Sequence, residues 1–198
     1  MDNNFSFAVG RTAVLAMDCQ QFIVSQSGEG QEGLIERAAG LLRAARAAGV
    51  LVVHVRVGFR PGLPEVSDRN RVFAALKTNR QWQEAFAGPA ADVHPALGPK
   101  PGDVVVTKHR VGAFTGTDLD MILRARDVDT LVLFGIATSG VVLSTLTTAF
   151  DADYRLAVVA DCCADRDHEL HDSLVRRYFP SRGDVITASE CGRALQAG

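Results

Sequence analysis

Short runs of β-branched and aliphatic residues alternate along this chain with stretches whose apolar positions recur every three or four residues. That alternation predicts strands joined by crossover helices. Strands are expected over 13–17, 50–57, 103–107, 130–134, 155–160 and 184–187. Several are apolar at almost every position, as a parallel sheet covered on both faces requires. The clearest helix follows the first strand: Leu34, Ile35, Ala38, Leu41, Leu42, Ala45 and Ala48 form one stripe, and Gly49 ends it. Further helices are expected over 118–126, 139–152 and 169–178. The segment 58–101 is less regular. Pro61, Pro64, Pro89, Pro95 and Pro99 interrupt it around a short helical piece near 70–86, an excursion of the length that serves as a lid or a subunit contact. The helix from Ser139 carries Val141, Val142, Leu143, Leu146, Ala149 and Phe150 on more than one side. One side is expected to meet the sheet and another a second copy, in a dimer or tetramer.

Composition narrows the partners. At 198 residues, 47% apolar and 22% charged, the chain fits one domain spanning 1–198. A net charge of −2 with scattered cations lacks the basic stripe of a nucleic-acid binder. No apolar run approaches the ~20 residues that cross a bilayer. The start, Met1-Asp2-Asn3-Asn4-Phe5, has no secretory pattern. Four cysteines are too few for a disulfide framework in a chain this long. The expected setting is cytoplasmic and the expected partner a small-molecule substrate, with neither nucleic acid nor membrane.

Ligands of open parallel sheets bind at the carboxyl ends of the strands, where strand order reverses. Asp18 follows the first strand, Arg56 lies near the end of the second, Lys108 follows the third, Gly135–Gly140 follows the fourth, and Asp161 ends the fifth. Singly, each has a plain structural reading. Asp18 suits a turn, Lys108 beside His109 and Arg110 suits a solvated basic turn, and Thr138 or Ser139 suits a helix cap. Their conjunction on one sheet edge points to a site. Arg56, Arg60 and Arg110 are candidate carboxylate anchors through the guanidinium fork, and Gln20 is a candidate for orienting a small polar substrate.

Three segments carry a resemblance: Leu15-Ala16-Met17-Asp18-Cys19-Gln20, Val104-Val105-Val106-Thr107-Lys108, and Gly135-Ile136-Ala137-Thr138-Ser139-Gly140-Val141-Val142. In order and spacing they resemble the isochorismatase-like, or cysteine hydrolase, superfamily. The likeness runs from Arg11 to about Glu190. It implies an α/β fold, three-layer α/β/α and Rossmann-like, with a six-stranded parallel sheet in the order 3-2-1-4-5-6. It implies Asp18 and Lys108 as catalytic groups, a substrate seat along Ala137, Thr138, Ser139 and Gly140, and a non-proline cis peptide at Ile136–Ala137. Most members carry a nucleophilic cysteine where this chain has Val141, which offers a backbone N–H only.

A valine cannot attack a carbonyl, so hydrolysis through an acyl-enzyme is disfavoured. Cys19 is expected to point away from Asp18, and Thr138, Ser139 and Ser144 each need a closely placed base. Another branch of the superfamily hydrolyses a vinyl ether with the aspartate as general acid. That role requires burial to raise the pKa of Asp18. The expected function is a hydrolase of a small carbonyl, amide-like or enol-ether substrate, with Asp and Lys but no Cys nucleophile. The alternative is an inactive member that binds a small metabolite or a protein partner. No cofactor is indicated, and no metal: 53–56 reads Val-His-Val-Arg in place of an Asp-x-His pattern, and His168 with His171 lacks further ligands.

Overall fold

The computed structural model describes residues 6–27 and 33–197. Six strands, β1 (Thr12–Met17), β2 (Leu51–Val57), β3 (Val104–Lys108), β4 (Thr130–Gly135), β5 (Arg155–Val159) and β6 (Asp184–Ile186), form one all-parallel sheet. Their order is β3-β2-β1-β4-β5-β6, with helices on both faces, as the resemblance implies. Every residue of β1 and of β4 is buried, which explains why those runs are apolar throughout. β3 lies at an edge, and its exposed Val105 and Thr107 face outward. The strand extends to Lys108, so this lysine ends the strand instead of following it.

The helices are α1 (Gln21–Ser25), α2 (Leu34–Ala47), α3 (Arg71–Ala74), α4 (Arg80–Ala87), α5 (Leu119–Arg124), α6 (Leu143–Asp151), α7 (His168–Ser173) and α8 (Ala188–Ala197). The α2 stripe of Leu34, Ala38, Leu41, Leu42 and Ala45 is buried, each leucine contributing ~1.5–3 kcal/mol of transfer free energy. The helical piece near 70–86 divides in two. Asn70 caps α3 by accepting from Phe73 N, and Asn79 caps α4 by accepting from Trp82 N. Neither short helix has a buried residue.

Two helices differ from expectation. The expected 139–152 helix opens with a wider π turn, Thr138–Val142, before α6, and 169–178 ends in another at Leu174–Tyr178. Periodicity does not separate a π turn from an α turn over one turn's length. α8 was not expected, yet Ala188, Cys191 and Leu195 form its buried stripe against α2. Its signal was a capping box: Thr187 N–H donates to Glu190 Oε2 at 2.7 Å, and Glu190 N–H to Thr187 Oγ1 at 3.2 Å.

Strand order reverses between β1 and β4, and the chain diverges there after Met17 and Gly135. Gly135 has φ 151°, and a Cβ at that position would collide with the Met17 carbonyl oxygen. The strands approach more closely than any side chain permits. The site is built on this crevice.

Candidate active site

Asp18 leaves β1 in the left-handed region, at φ 53°, which aspartate tolerates better than bulkier residues. Its backbone N–H donates to Val55 O at 2.8 Å, fixing the turn against β2. Lys108 reaches across β2, and its Nζ lies 2.8 Å from Asp18 Oδ2. The ammonium also donates to Arg110 O at 3.0 Å. Both residues are buried, at 6% and 2% exposure. Burial pushes the Asp18 carboxyl above its ordinary range, although the Lys108 charge pulls the other way. Asp18 Oδ1 is buried without a hydrogen-bond partner in the structure. A polar atom left so costs ~1–3 kcal/mol, and such exceptions concentrate at sites that take a ligand or water.

The third-motif loop meets the same crevice. The Ile136–Ala137 peptide is cis. Ile136 N–H donates to Met17 O at 3.2 Å, beside Asp18. The segment following β5 staples the loop from the other side. Thr138 N–H donates to Ala164 O at 2.8 Å, Ser139 N–H to Asp165 Oδ2 at 2.7 Å, and Thr138 Oγ1 lies 2.8 Å from His171 Nδ1. Burial acts to raise the Asp165 carboxyl, yet the N–H groups of Ser139 and Asp167, with His171, hold it below the usual range. Gly140 and Val142 N–H groups donate to Ala137 O at 3.1 and 3.3 Å. Thr138 is fully buried and Val141 is 2% exposed.

Over this loop opens a cleft of about 230 Å³, lined by Phe22, Ile23, Gln26, Ser27, Trp82, Phe86, Ile136, Ala137, Asp165 and Arg166. Ala137, from the expected seat, lines this cleft. Trp82, Phe86, Asp165 and Arg166 were not singled out from the sequence. Arg166 lies past the turn that follows β5, which ends at Val159, so strand-end reasoning did not reach it.

Two expected binding residues are placed elsewhere. Gln20 is completely buried: its Nε2 donates to Val57 O at 2.9 Å and Ala91 O at 2.7 Å, and its Oε1 accepts from Val57 N–H at 2.7 Å. It clamps the end of β1 to β2 and to the 88–93 turn, with its amide committed to backbone and not offered to a ligand. Arg56 sits on the outer part of the sheet. Its Nε donates to Thr107 Oγ1 at 3.2 Å and its Nη1 lies 3.6 Å from Asp92, in a separate groove of about 620 Å³. Arg110 is held by His109 O and Glu65 O, and Arg60 by His109.

All four cysteines are buried. Burial pushes the thiols of Cys163 and Cys191 up to about 12, and those of Cys19 and Cys162 higher still. None has the electropositive, partly open surroundings that make a thiolate. Among the described residues no three His, Cys, Asp or Glu side chains are grouped to hold a metal ion. No helix among them is long and apolar enough to cross a membrane.

Known proteins resemble this chain in sequence and in fold. The isochorismatase domain model matches residues 12–190. The maleamate amidohydrolase of Pseudomonas putida is 33% identical over 162 residues, 82% of this chain and 74% of that protein. A ureidoacrylate amidohydrolase of Azorhizobium caulinodans is 36% identical over 172 residues, 75% of this chain and 74% of its own. A crystal structure of a cysteine hydrolase from Pseudomonas syringae superposes with a TM-score of 0.83 at 24% identity, covering 98% of this chain and 96% of that one. That last likeness speaks for the fold.

Proposed function

The chain belongs to the isochorismatase family, and on that premise we propose that it is a hydrolase of a small carbonyl, amide-like or enol-ether substrate that uses Asp18 and Lys108 without a cysteine nucleophile. The observation that carries this reading is the Asp18–Lys108 contact of 2.8 Å with Asp18 Oδ1 left unsatisfied. A carboxyl lifted by burial is suited to hold a proton and deliver it to the leaving group or the enol-ether carbon. Lys108 then balances the carboxylate that remains. With valine at position 141 no acyl-enzyme forms, and water attacks the activated carbon directly. The N–H groups of Thr138, Ser139, Gly140 and Val142 are engaged elsewhere, and this reading assigns an oxyanion contact to Val141 N–H.

The cleft over Ala137 is the seat for the rest of the substrate. Its walls are mostly apolar, and Arg166 at its rim offers a guanidinium suited to a carboxylate. The amidohydrolase relatives support an amide-like substrate over an enol ether.

One observation favours the second reading, a member without turnover that binds a metabolite or a protein partner. Asp18, Lys108 and Val141 are all nearly sealed from solvent, and catalysis requires the cleft to open onto them.

A screen of small amides, ureides, esters and enol ethers, with Asp18→Asn and Lys108→Ala alongside, tests the proposal. A turnover lost by about a hundredfold or more in both folded variants supports it, in line with loss of acid–base catalysis. A confirmed turnover that both variants retain removes the assignment. Val141→Cys adds a probe: newly gained amide hydrolysis shows that the thiol was the one missing part.

A further inference from the structure

We infer that the groove on the β3 side of the sheet is a second small-molecule site, and that its ligand is a zwitterion with an apolar side group, of the class of the aromatic α-amino acids. The site is separate from the proposed hydrolytic centre. Asp18, Lys108, Ala137 and Val141 do not line it, and among the described residues it shares Phe86 alone with the cleft over Ala137.

Helices normally cover both faces of a parallel sheet. Here the cover stops short of β3, where the alternate residues Val105 and Thr107 stay exposed, Val105 at 44%. Arg56 of β2 lies beside Thr107 in register, and His109 continues the alternation just past the strand. The 58–101 segment closes the opposite wall with Phe59 and Phe86, whose rings meet edge-on with centroids 5.6 Å apart and an interplanar angle of 73°. The groove between the two walls is about 620 Å³, within the ~300–1,000 Å³ of small-molecule sites. Val105 and the two phenylalanines give it an apolar lining that an aromatic side group fits.

The charges of the groove are balanced: the guanidiniums of Arg56 and Arg60 and the carboxylates of Asp92 and Asp118 all line it. None is fully committed. Arg56 Nε donates to Thr107 Oγ1 at 3.2 Å, but its Nη1 stands 3.6 Å from Asp92, longer than a charge-assisted hydrogen bond of ~2.7–2.9 Å. Arg60 is held from one side. His109 Nδ1 donates to Gly58 O at 2.6 Å, which leaves Nε2 to accept from Arg60 Nη1 at 3.2 Å, with Glu65 Oε1 3.8 Å from the same nitrogen. Asp118 precedes α5 without capping it, and its carboxylate has no partner among the described residues. A dianion in this groove meets two carboxylates and a diamine meets two guanidiniums, and like charges placed together cost affinity. A ligand with one charge of each sign avoids both. Its carboxylate lies on Arg60 and Arg56, its ammonium on Asp118, and its side group against the aromatic wall.

Proton–nitrogen correlation spectra of the full chain, titrated with L-phenylalanine, phenethylamine and 3-phenylpropionate, test this. The amides of Val105, Thr107 and His109 report the groove, and those of Ala137 and Thr138 report the cleft. Phenylalanine is expected to shift the groove amides saturably. Each singly charged analogue should bind about tenfold more weakly or worse, the contribution of one charge-assisted contact. Arg60→Gln weakens phenylalanine and phenylpropionate and spares phenethylamine, whereas Asp118→Asn weakens phenylalanine and phenethylamine and spares phenylpropionate. The same spectra check that each variant is folded. The inference is overturned by the absence of a saturable groove shift at ~10 mM, by shifts confined to the cleft, by analogues that bind as tightly as phenylalanine, or by variants without the crossed pattern. Turnover enters none of these readouts, so the hydrolase reading and this one stand or fall separately.

Discussion

Replacing Lys108 by methionine probes the central pair most directly. Methionine keeps the apolar stem of lysine and removes the ammonium, with its charge and its contacts to Asp18 and Arg110 O. At 2.8 Å and an effective dielectric constant of ~20, the gross attraction between the two charges is about 6 kcal/mol. Much of it offsets the desolvation of both groups, but deleting one partner leaves the other buried and uncompensated, at a cost of ~3–5 kcal/mol. For a chain of this size that corresponds to a fall in Tm of roughly 6–20 °C. The loss should depend on pH with a definite sign. Burial already holds the folded pKa of Asp18 above its unfolded value, and removing Lys108 raises it further. The stability a raised carboxyl supports is complete below the unfolded pKa and is lost as pH rises through the folded one. The gap between wild type and Lys108→Met is therefore small near pH 4 and widest at pH 7–8. Urea denaturation at four or five pH values measures it, and Asp18→Asn/Lys108→Met should recover most of the loss. A single variant within ~1 kcal/mol of wild type at neutral pH, with no trend in pH, would refute the reasoning.

Further expectations concern the frame. Gly135→Ala should cost about 2–4 kcal/mol, because its Cβ meets the Met17 carbonyl at positive φ, and a urea midpoint unchanged from wild type contradicts this. His54 is 1% exposed, beside Asp103 and Arg46. Burial lowers its pKa despite Asp103, so the stability linked to its neutral form is present above the unfolded value of about 6.5 and lost as pH falls below it. Wild type should thus lose more stability between pH 7.5 and 5 than His54→Asn does, and parallel pH curves would show otherwise. Thr187→Ala removes half of the capping box and should lower stability by ~0.5–2 kcal/mol, with faster amide exchange confined to α8.

The architecture was legible because its causes are local and repeated. Continuous apolar runs mark doubly covered strands, and strand ends in a parallel sheet gather polar residues on one edge. Asp18 and Lys108 meet for that reason, though ninety positions apart. Gln20 misled because a polar residue at a strand end looks alike whether it faces a ligand or holds the backbone, and only the placement of Val57 and Ala91 separates the two. Arg56 stands toward the β3 edge, beside Thr107 and Asp92, and its place at a strand end does not say which groove it enters. The cleft itself was hidden. Its walls come from α1, α4, the β4 loop and the segment after β5, and no sequence spacing relates Trp82 to Arg166.

The burial of every sulfhydryl has a practical corollary. Alkylating dyes require an accessible thiolate, so the folded protein offers them no native attachment point. One surface position changed to cysteine, on exposed Val72 for instance, would accept a single label in an otherwise silent background. Distances from it to the indole on α4 could then be followed in solution as ligands are added.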